Sequence, residues 1–166
     1  MKNIHLIRHA KSSWENATLT DHQRPLNKRG RKACERMAPR IWSHGCSFKN
    51  VYASTAIRAQ QTIELISQQL QLNMHWRSDS LLYTFDSNEL YHWLVQRPED
   101  EESVVIIGHN PALMSLSNLL GDQELAHLPT CSYVHLAANV QHWNALDNHC
   151  ANIQAFYHPK MFIDEW

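Results

Sequence analysis

The chain has 166 residues, 43% of them hydrophobic and 19% charged, and a formal net charge of -1 at pH 7. That length suits one domain spanning 1–166, with a core that closes without disulfides or metal. The near-neutral balance gives no sign of a nucleic-acid or membrane surface, and no apolar run approaches the roughly 18 to 20 residues of a membrane helix.

Met1 to Ile7 holds one basic residue but no long apolar stretch or small-residue cleavage site, so a cytoplasmic protein is expected. Asn3 to Ile7 predicts a short strand running into Arg8-His9. A helix is expected from about Asn27 to His44, with Ala33, Met37 and Ile41 on one face. Pro39 falls inside it as a candidate kink or break, and Gly45 as its terminator. Asn50 to Ser54 predicts a second strand, Ala56 to Leu70 a second helix, and Met74 to Arg77 a third strand. A helix from Ser87 to Gln96 follows. Ser103 to Gly108 is the clearest strand, a continuous β-branched run expected of a strand buried on both faces. After His109-Asn110-Pro111 comes a helix over Ala112 to Leu120, with Pro111 suited to its start. Cys131 to Leu136 and Val140 to Ala145 are expected to be the last strands, paired through a short turn.

Strands alternating with helices imply an α/β fold, a mostly parallel sheet covered on both faces. In such sheets ligands bind beyond the carboxyl ends of the strands. Arg8-His9, Ser54 to Arg58 and Gly108-His109 each follow a predicted strand, so three polar clusters should meet at one edge. Hydroxyls of Ser12, Ser13, Ser54 and Thr130 are expected nearby.

Two guanidiniums in one cleft call for an anion, because arginine cannot discharge itself by losing a proton. With two imidazoles beside them, a tetrahedral oxyanion is the better match. Phosphoryl transfer needs charge around the equatorial oxygens, and two arginines with a protonated histidine can supply it in place of a metal. A neutral ring nitrogen, held in one tautomer by a backbone carbonyl, can attack phosphorus and form a phosphoramidate that water hydrolyses. The twelve histidines contain no HxH, HExxH or Cys/His cluster, so no metal site or cofactor is expected. Cys34, Cys46, Cys131 and Cys150 form no CxxC pair and read as reduced thiols.

These same residues resemble the histidine phosphatase, or phosphoglycerate mutase-like, superfamily. Leu6 to Trp14, with Ala10 in the glycine place, resembles its Arg-His-Gly signature. Asp21 to Gly30 is similar to the segment leading into the first helix, Ser54 to Thr62 to the second phosphate-binding motif, and Gly108-His109-Asn110 to the third. The short length, the RHAKSSW, RPLNKRG and GHNP stretches and Leu128-Pro129-Thr130 resemble the SixA-type phosphohistidine phosphatase branch.

The resemblance implies a three-layer α/β/α sandwich without a large lid insertion. It makes His9 the nucleophile, and Arg8, Arg58 and His109 the phosphate pocket, with a further hydrogen bond from Ser12. Larger family members place a glutamate general acid after the third strand. Here Asp79 is the candidate in that region, with Glu15 and Asp21 as rivals and solvent as a further proton source. An uncertain acid and little material for a lid favour phosphohistidine on a partner protein. The alternatives are a phosphatase of small phosphorylated metabolites or nucleotides and a non-catalytic phosphate-binding module. Mutase activity, which needs an enclosed site, is the least favoured.

Overall fold

In the computed structural model, which describes residues 1–165, aliphatic runs too apolar for a solvated face build the centre of one six-stranded sheet. Its strands are β1 (Lys2–Arg8), β2 (Val51–Ser54), β3 (Trp76–Asp79), β4 (Ser103–Gly108), β5 (Tyr133–Ala138) and β6 (Ala151–Tyr157). Their order is β3-β2-β4-β1-β5-β6. The pairs β3-β2, β2-β4 and β4-β1 are parallel, whereas β1-β5 and β5-β6 are antiparallel.

Alternation along the central strands feeds two cores. Ile4, Leu6, Val104 and Ile106 point to one face, against Leu90 and Leu94 of α3 (Ser87–Val95) and Leu113, Leu116 and Leu120 of α4 (Ala112–Leu120). Ile7, Val105 and Ile107 point to the other, against Met37 and Ile41 of α1 (Lys28–His44) and Ile63 and Ile66 of α2 (Ile57–Gln69). The result is the expected three-layer α/β/α arrangement. No large insertion is evident: a one-turn helix at Ser80–Leu82 and the nine-residue α3 occupy the connection from β3 to β4.

Helix α1 begins where the Asn27 side chain accepts from the Gly30 amide, a local N-cap. Gly30 also lets this helix press against the loop after β1, because a Cβ there would lie 2.2 Å from the Lys11 carbonyl oxygen. Gly45, at φ 113°, ends the helix in the left-handed region. Pro39 does not divide it. The proline lies on the exposed face, where the Glu35 carbonyl that it leaves unpaired can meet solvent.

Three expectations differ from the structure. β3 and β5 each start two residues later than the sequence implies. Val140 to Ala145 is not a strand: Trp143 is fully buried there, and its indole N–H donates to the Glu101 carbonyl at 2.7 Å. The partner of β5 is instead β6, whose Ala151, Ile153 and Ala155 alternate with Asn152 and Gln154. Beyond it, Phe162 of the tail packs on the core beside Tyr157, with the Arg40 guanidinium over its ring.

Candidate active site

The carboxyl ends of β1, β2 and β4 lie side by side, with Arg8 opposite Gly108 in register. That alignment brings together residues far apart in sequence. His9 follows β1 directly; its amide donates to the Gly108 carbonyl at 3.1 Å, and its own carbonyl accepts from Cys131. The next amide, of Ala10, donates to Thr62 Oγ1 on α2, so the backbone is held on both sides of the imidazole. His9 Nδ1 lies 2.8 Å from the Ala10 carbonyl oxygen. A carbonyl only accepts, so Nδ1 carries the proton and Nε2 holds the lone pair.

Around Nε2 the structure gathers the other expected residues. Arg58, 3% exposed, sets its Nε 3.4 Å from His9 Nε2 and its Nη2 3.4 Å from His109 Nδ1. The His9 and His109 ring centroids are 5.2 Å apart. His109 Nε2 is 2.7 Å from Ser54 Oγ. With Arg58 able only to donate, Nδ1 of His109 accepts and its Nε2 donates to the serine. Arg8 donates to the Leu128 carbonyl through Nη1, while its buried Nε has no partner among the described residues. Arg8 lines the cleft, and an unpaired guanidinium N–H is a group that an anionic oxygen satisfies.

Asp21 fixes the arginines. Arg58 donates to the Asp21 backbone oxygen at 2.7 Å and to its Oδ2 at 3.0 Å, Arg24 donates to Oδ1 at 3.1 Å, and the Tyr83 hydroxyl donates to Oδ2 at 2.6 Å. Arg24 also donates to Ser13 O and Ser12 Oγ. A cleft of about 390 Å³ is lined by Arg8, Arg24 and Arg58 with Asp21 as its one carboxylate. Three guanidiniums against one carboxylate leave it cationic.

Charge and burial set the protonation states. Burial pulls His9 down to about 4; the bond to Ala10 opposes this, and the charges of Arg58, Arg8 and Arg24 reinforce it. Burial, then the His9 and Arg58 charges, bring His109 to about 3, with Asp21 pulling the other way. Both imidazoles are therefore neutral near pH 7. For His9 that is the state of a nucleophile. For His109, the arginines that attract an anion also disfavour an imidazolium, until a phosphoryl dianion offsets them. Burial pushes the Asp21 carboxyl up, but hydrogen bonds from Tyr83, Arg58 and Arg24 outweigh it and hold it at about 2.

The candidate acids separate. Asp79 is not brought to the cleft lining; its carboxylate caps the one-turn helix by accepting from Leu81 N and also accepts from the Trp93 indole at 2.9 Å. Glu15 is exposed and outside the lining as well. Asp21 lies in the cleft, but as a carboxylate tied to two arginines. Ser12 and Thr130 line the cleft, and Ser54 reaches it through His109. Sequence reasoning missed Arg24, Tyr83, Phe85 and the place of Trp14. The signal for Arg24 was its position three residues after Asp21 in the RPL stretch; the aromatics offered none. Among the described residues, no group of three or more His, Cys, Asp or Glu side chains is placed to hold a metal ion.

Comparisons with known proteins agree with this geometry. The model of the histidine phosphatase superfamily (branch 1) matches residues 4–82, the span holding Arg8, His9 and Arg58. An uncharacterized chloroplastic protein of Arabidopsis thaliana is 26% identical over 151 residues, covering 86% of this chain and 69% of its own length. Among solved structures, the protein histidine phosphatase SixA in complex with tungstate superposes with a TM-score of 0.79 at 20% identity, covering 96% of this chain and 99% of that one. A protein provisionally assigned as SixA of Nakamurella multipartitia gives 0.79 at 22% identity, covering 95% and 96%. A mycobacterial glucosyl-3-phosphoglycerate phosphatase gives 0.66 at 15%, covering 93% and 98%. At these identities the structures speak for the fold, and the family match speaks for the motifs. The N-terminal half of the chain, residues 4–82, is thus similar to the histidine phosphatase superfamily, and the whole chain has the fold of the SixA structures.

Proposed function

We propose that the chain is a metal-independent phosphatase that carries the phosphoryl group on His9 and acts on phosphohistidine in a partner protein. The observation that carries the reading is the fixed tautomer of His9, with Nδ1–H on the Ala10 carbonyl and a neutral Nε2 among arginines. Nε2 attacks phosphorus as the bond to the leaving group breaks in line. Arg8 and Arg58 hold the equatorial oxygens, and His109, once protonated by the arrival of a dianion, donates to them. Phospho-His9 keeps its Nδ1 proton, so when water attacks phosphorus the ring departs as neutral imidazole. The proton lost by the water goes to solvent.

The substrate class rests on the acid. Asp21, held at about 2, is ionised near pH 7 and is a poor proton donor to an alkoxide. A phosphohistidine ring protonated on its other nitrogen takes back the P–N electron pair and leaves neutral, needing no acid. The second reading is a phosphatase of a small phosphorylated metabolite or nucleotide, favoured by the shared fold of the glucosyl-3-phosphoglycerate phosphatase.

The test is a panel of phosphohistidine peptide, aryl phosphate, sugar phosphates and nucleotides, assayed in EDTA with wild type and His9→Ala. Wild type is expected to form an acid-labile phosphoryl adduct and to prefer the phosphohistidine peptide; His9→Ala is expected to lose turnover by at least about 10⁴-fold. Wild-type turnover by His9→Ala would sink the mechanism. A dominant kcat/KM for one small molecule would transfer the reading to the metabolite class.

A further inference from the structure

The leaving-group side of the cleft carries two exposed aromatic rings from different loops. His9 is 8% exposed and sits at the floor, so a group departing in line from phosphorus must point outward, toward the mouth. Trp14, 77% exposed, and Phe85, 48% exposed, both line the same cleft. Trp14 lies in the loop after β1, face-on to the Arg24 guanidinium with Cζ 3.2 Å from the ring centroid. Phe85 precedes α3, and its centroid is 5.3 Å from that of His109 and 5.7 Å from that of Tyr83.

Arg24, Asn110 and Asp21 at the mouth are already engaged within the protein, whereas Lys11 and Thr130 of the same lining make no side-chain hydrogen bond among the described residues. Arg24 spends Nε, Nη1 and Nη2 on Ser13, Asp21 and Ser12. The Asn110 amide donates to the Leu128 carbonyl and accepts from Met114 N. Asp21 accepts from Arg24, Arg58 and Tyr83. A hydroxyl-rich leaving group would have to compete with these bonds. A planar ring would not: it can rest on aromatic surface, and a protonated imidazole gains further from the ring faces.

Resting on the phosphatase reading above, we propose that Trp14 and Phe85 form a leaving-group subsite that selects a planar ring, the imidazole of phosphohistidine, over alkyl and sugar leaving groups. They act by holding the ring in line with phosphorus while His9 Nε2 attacks from the floor. Phe85, resting on His109, ties the leaving group to the same imidazole that faces the phosphoryl oxygens.

Two N–P substrates isolate this contribution. Phosphoimidazole presents a ring as leaving group, whereas phosphoramidate presents only ammonia. In wild type, Phe85→Ala and Phe85→Tyr, with Trp14→Phe as a ring-retaining control, kcat/KM is measured on both. Phe85→Ala is expected to lower the ratio of phosphoimidazole to phosphoramidate turnover about tenfold. Phe85→Tyr and Trp14→Phe should keep the ratio near that of wild type. An unchanged ratio in Phe85→Ala, whether both substrates slow together or neither does, overturns the subsite. Failure of the phosphatase reading looks different: wild type would then turn over neither compound through an acid-labile adduct.

Discussion

Strand β1 carries His5, the residue directly after it is His9, and the chain treats the two in opposite ways. His5 belongs to a cluster with His44, His135 and Tyr133 on the α1 side of the sheet. Its ring stacks on His135 with centroids 4.3 Å apart, and its Nδ1 is 2.6 Å from the Tyr133 hydroxyl. His135 Nε2 donates to Asn3 Oδ1 at 2.8 Å, which leaves its Nδ1 to accept from His44 Nε2 at 2.8 Å. Beside this cluster lies a cleft of about 520 Å³, larger than the one at His9, lined by Lys49, Asp100 and Glu102 but by no arginine. Burial, then the neighbouring histidines, pull His5 to about 3, much as burial pulls His9 to about 4. Imidazoles, burial and volume are therefore common to both regions. What separates them is the convergence of guanidiniums on a ring nitrogen that keeps its lone pair. In the proposed mechanism, phosphate chemistry depends on the arginines as much as on the histidine.

The strongest way to break this contrast, short of removing His9, is to remove the guanidinium that lies against both His9 and His109. Arg58→Ala is expected to lower kcat for aryl phosphate by about 10² to 10³-fold, the cost of one charge-stabilising donor. Arg58→Lys should recover only part of it, because an ammonium cannot reach His9, His109 and Asp21 with one planar fork. Near-wild-type kcat in Arg58→Ala, measured at saturating substrate, would mean that the arginines do not distinguish the two regions.

Asp21 sharpens the contrast from the other side. Its carboxylate holds Arg58 and Arg24 in place, yet it is 43% exposed on its side chain, so its charge is screened by solvent. Asp21→Asn keeps a hydrogen-bonding group and removes the charge. The expected loss is smaller, between about tenfold and a hundredfold, from looser positioning of the guanidiniums. Were Asp21 the obligate proton donor, the loss would be confined to substrates with poor leaving groups. Comparing an aryl with an alkyl phosphate therefore tests positioning, which predicts similar losses on both.

Much of this was legible in the sequence, and the gaps have physical causes. That Arg8, His9, Arg58 and His109 meet follows from three strand ends and the rule that parallel strands point their carboxyl ends one way. The VVII run made β4 readable at once. β6 was missed because the apolar residues of Val140 to Ala145 resemble a strand, while Trp143 among them is buried from a one-turn helix. The alternation of Ala151, Ile153 and Ala155 was there to be read, but small residues give it little contrast. Asp79 illustrates a different limit. Its candidacy came from the resemblance, and only the fold reveals that Leu81 N and the Trp93 indole occupy its oxygens. Arg24 and the two aromatics at the mouth come from loops, where no periodicity says which way a side chain faces.

The smallest expected effect belongs to the cluster without arginines, and it concerns stability. Burial, then the His44 charge, hold His135 at about 4, below its ordinary value of 6.5. The folded state thus binds a proton less readily than the unfolded chain. Stability from the neutral ring is full above about 6.5 and is lost as pH falls from there toward 4, with a slope of at most about 1.4 kcal/mol per pH unit for one proton. His135→Gln keeps a donor and an acceptor but cannot titrate. Its urea midpoint is expected to fall less than that of wild type between pH 7 and pH 4.5, while its turnover at pH 7 stays that of wild type, because His135 lies outside the His9 cleft. Equal acid sensitivity in the two proteins would assign the acid loss to other groups, with His9 and His109, buried and held at about 4 and about 3, next in line. An acid-resistant variant with unimpaired turnover would separate the two histidine clusters by function as cleanly as the arginines separate them by chemistry.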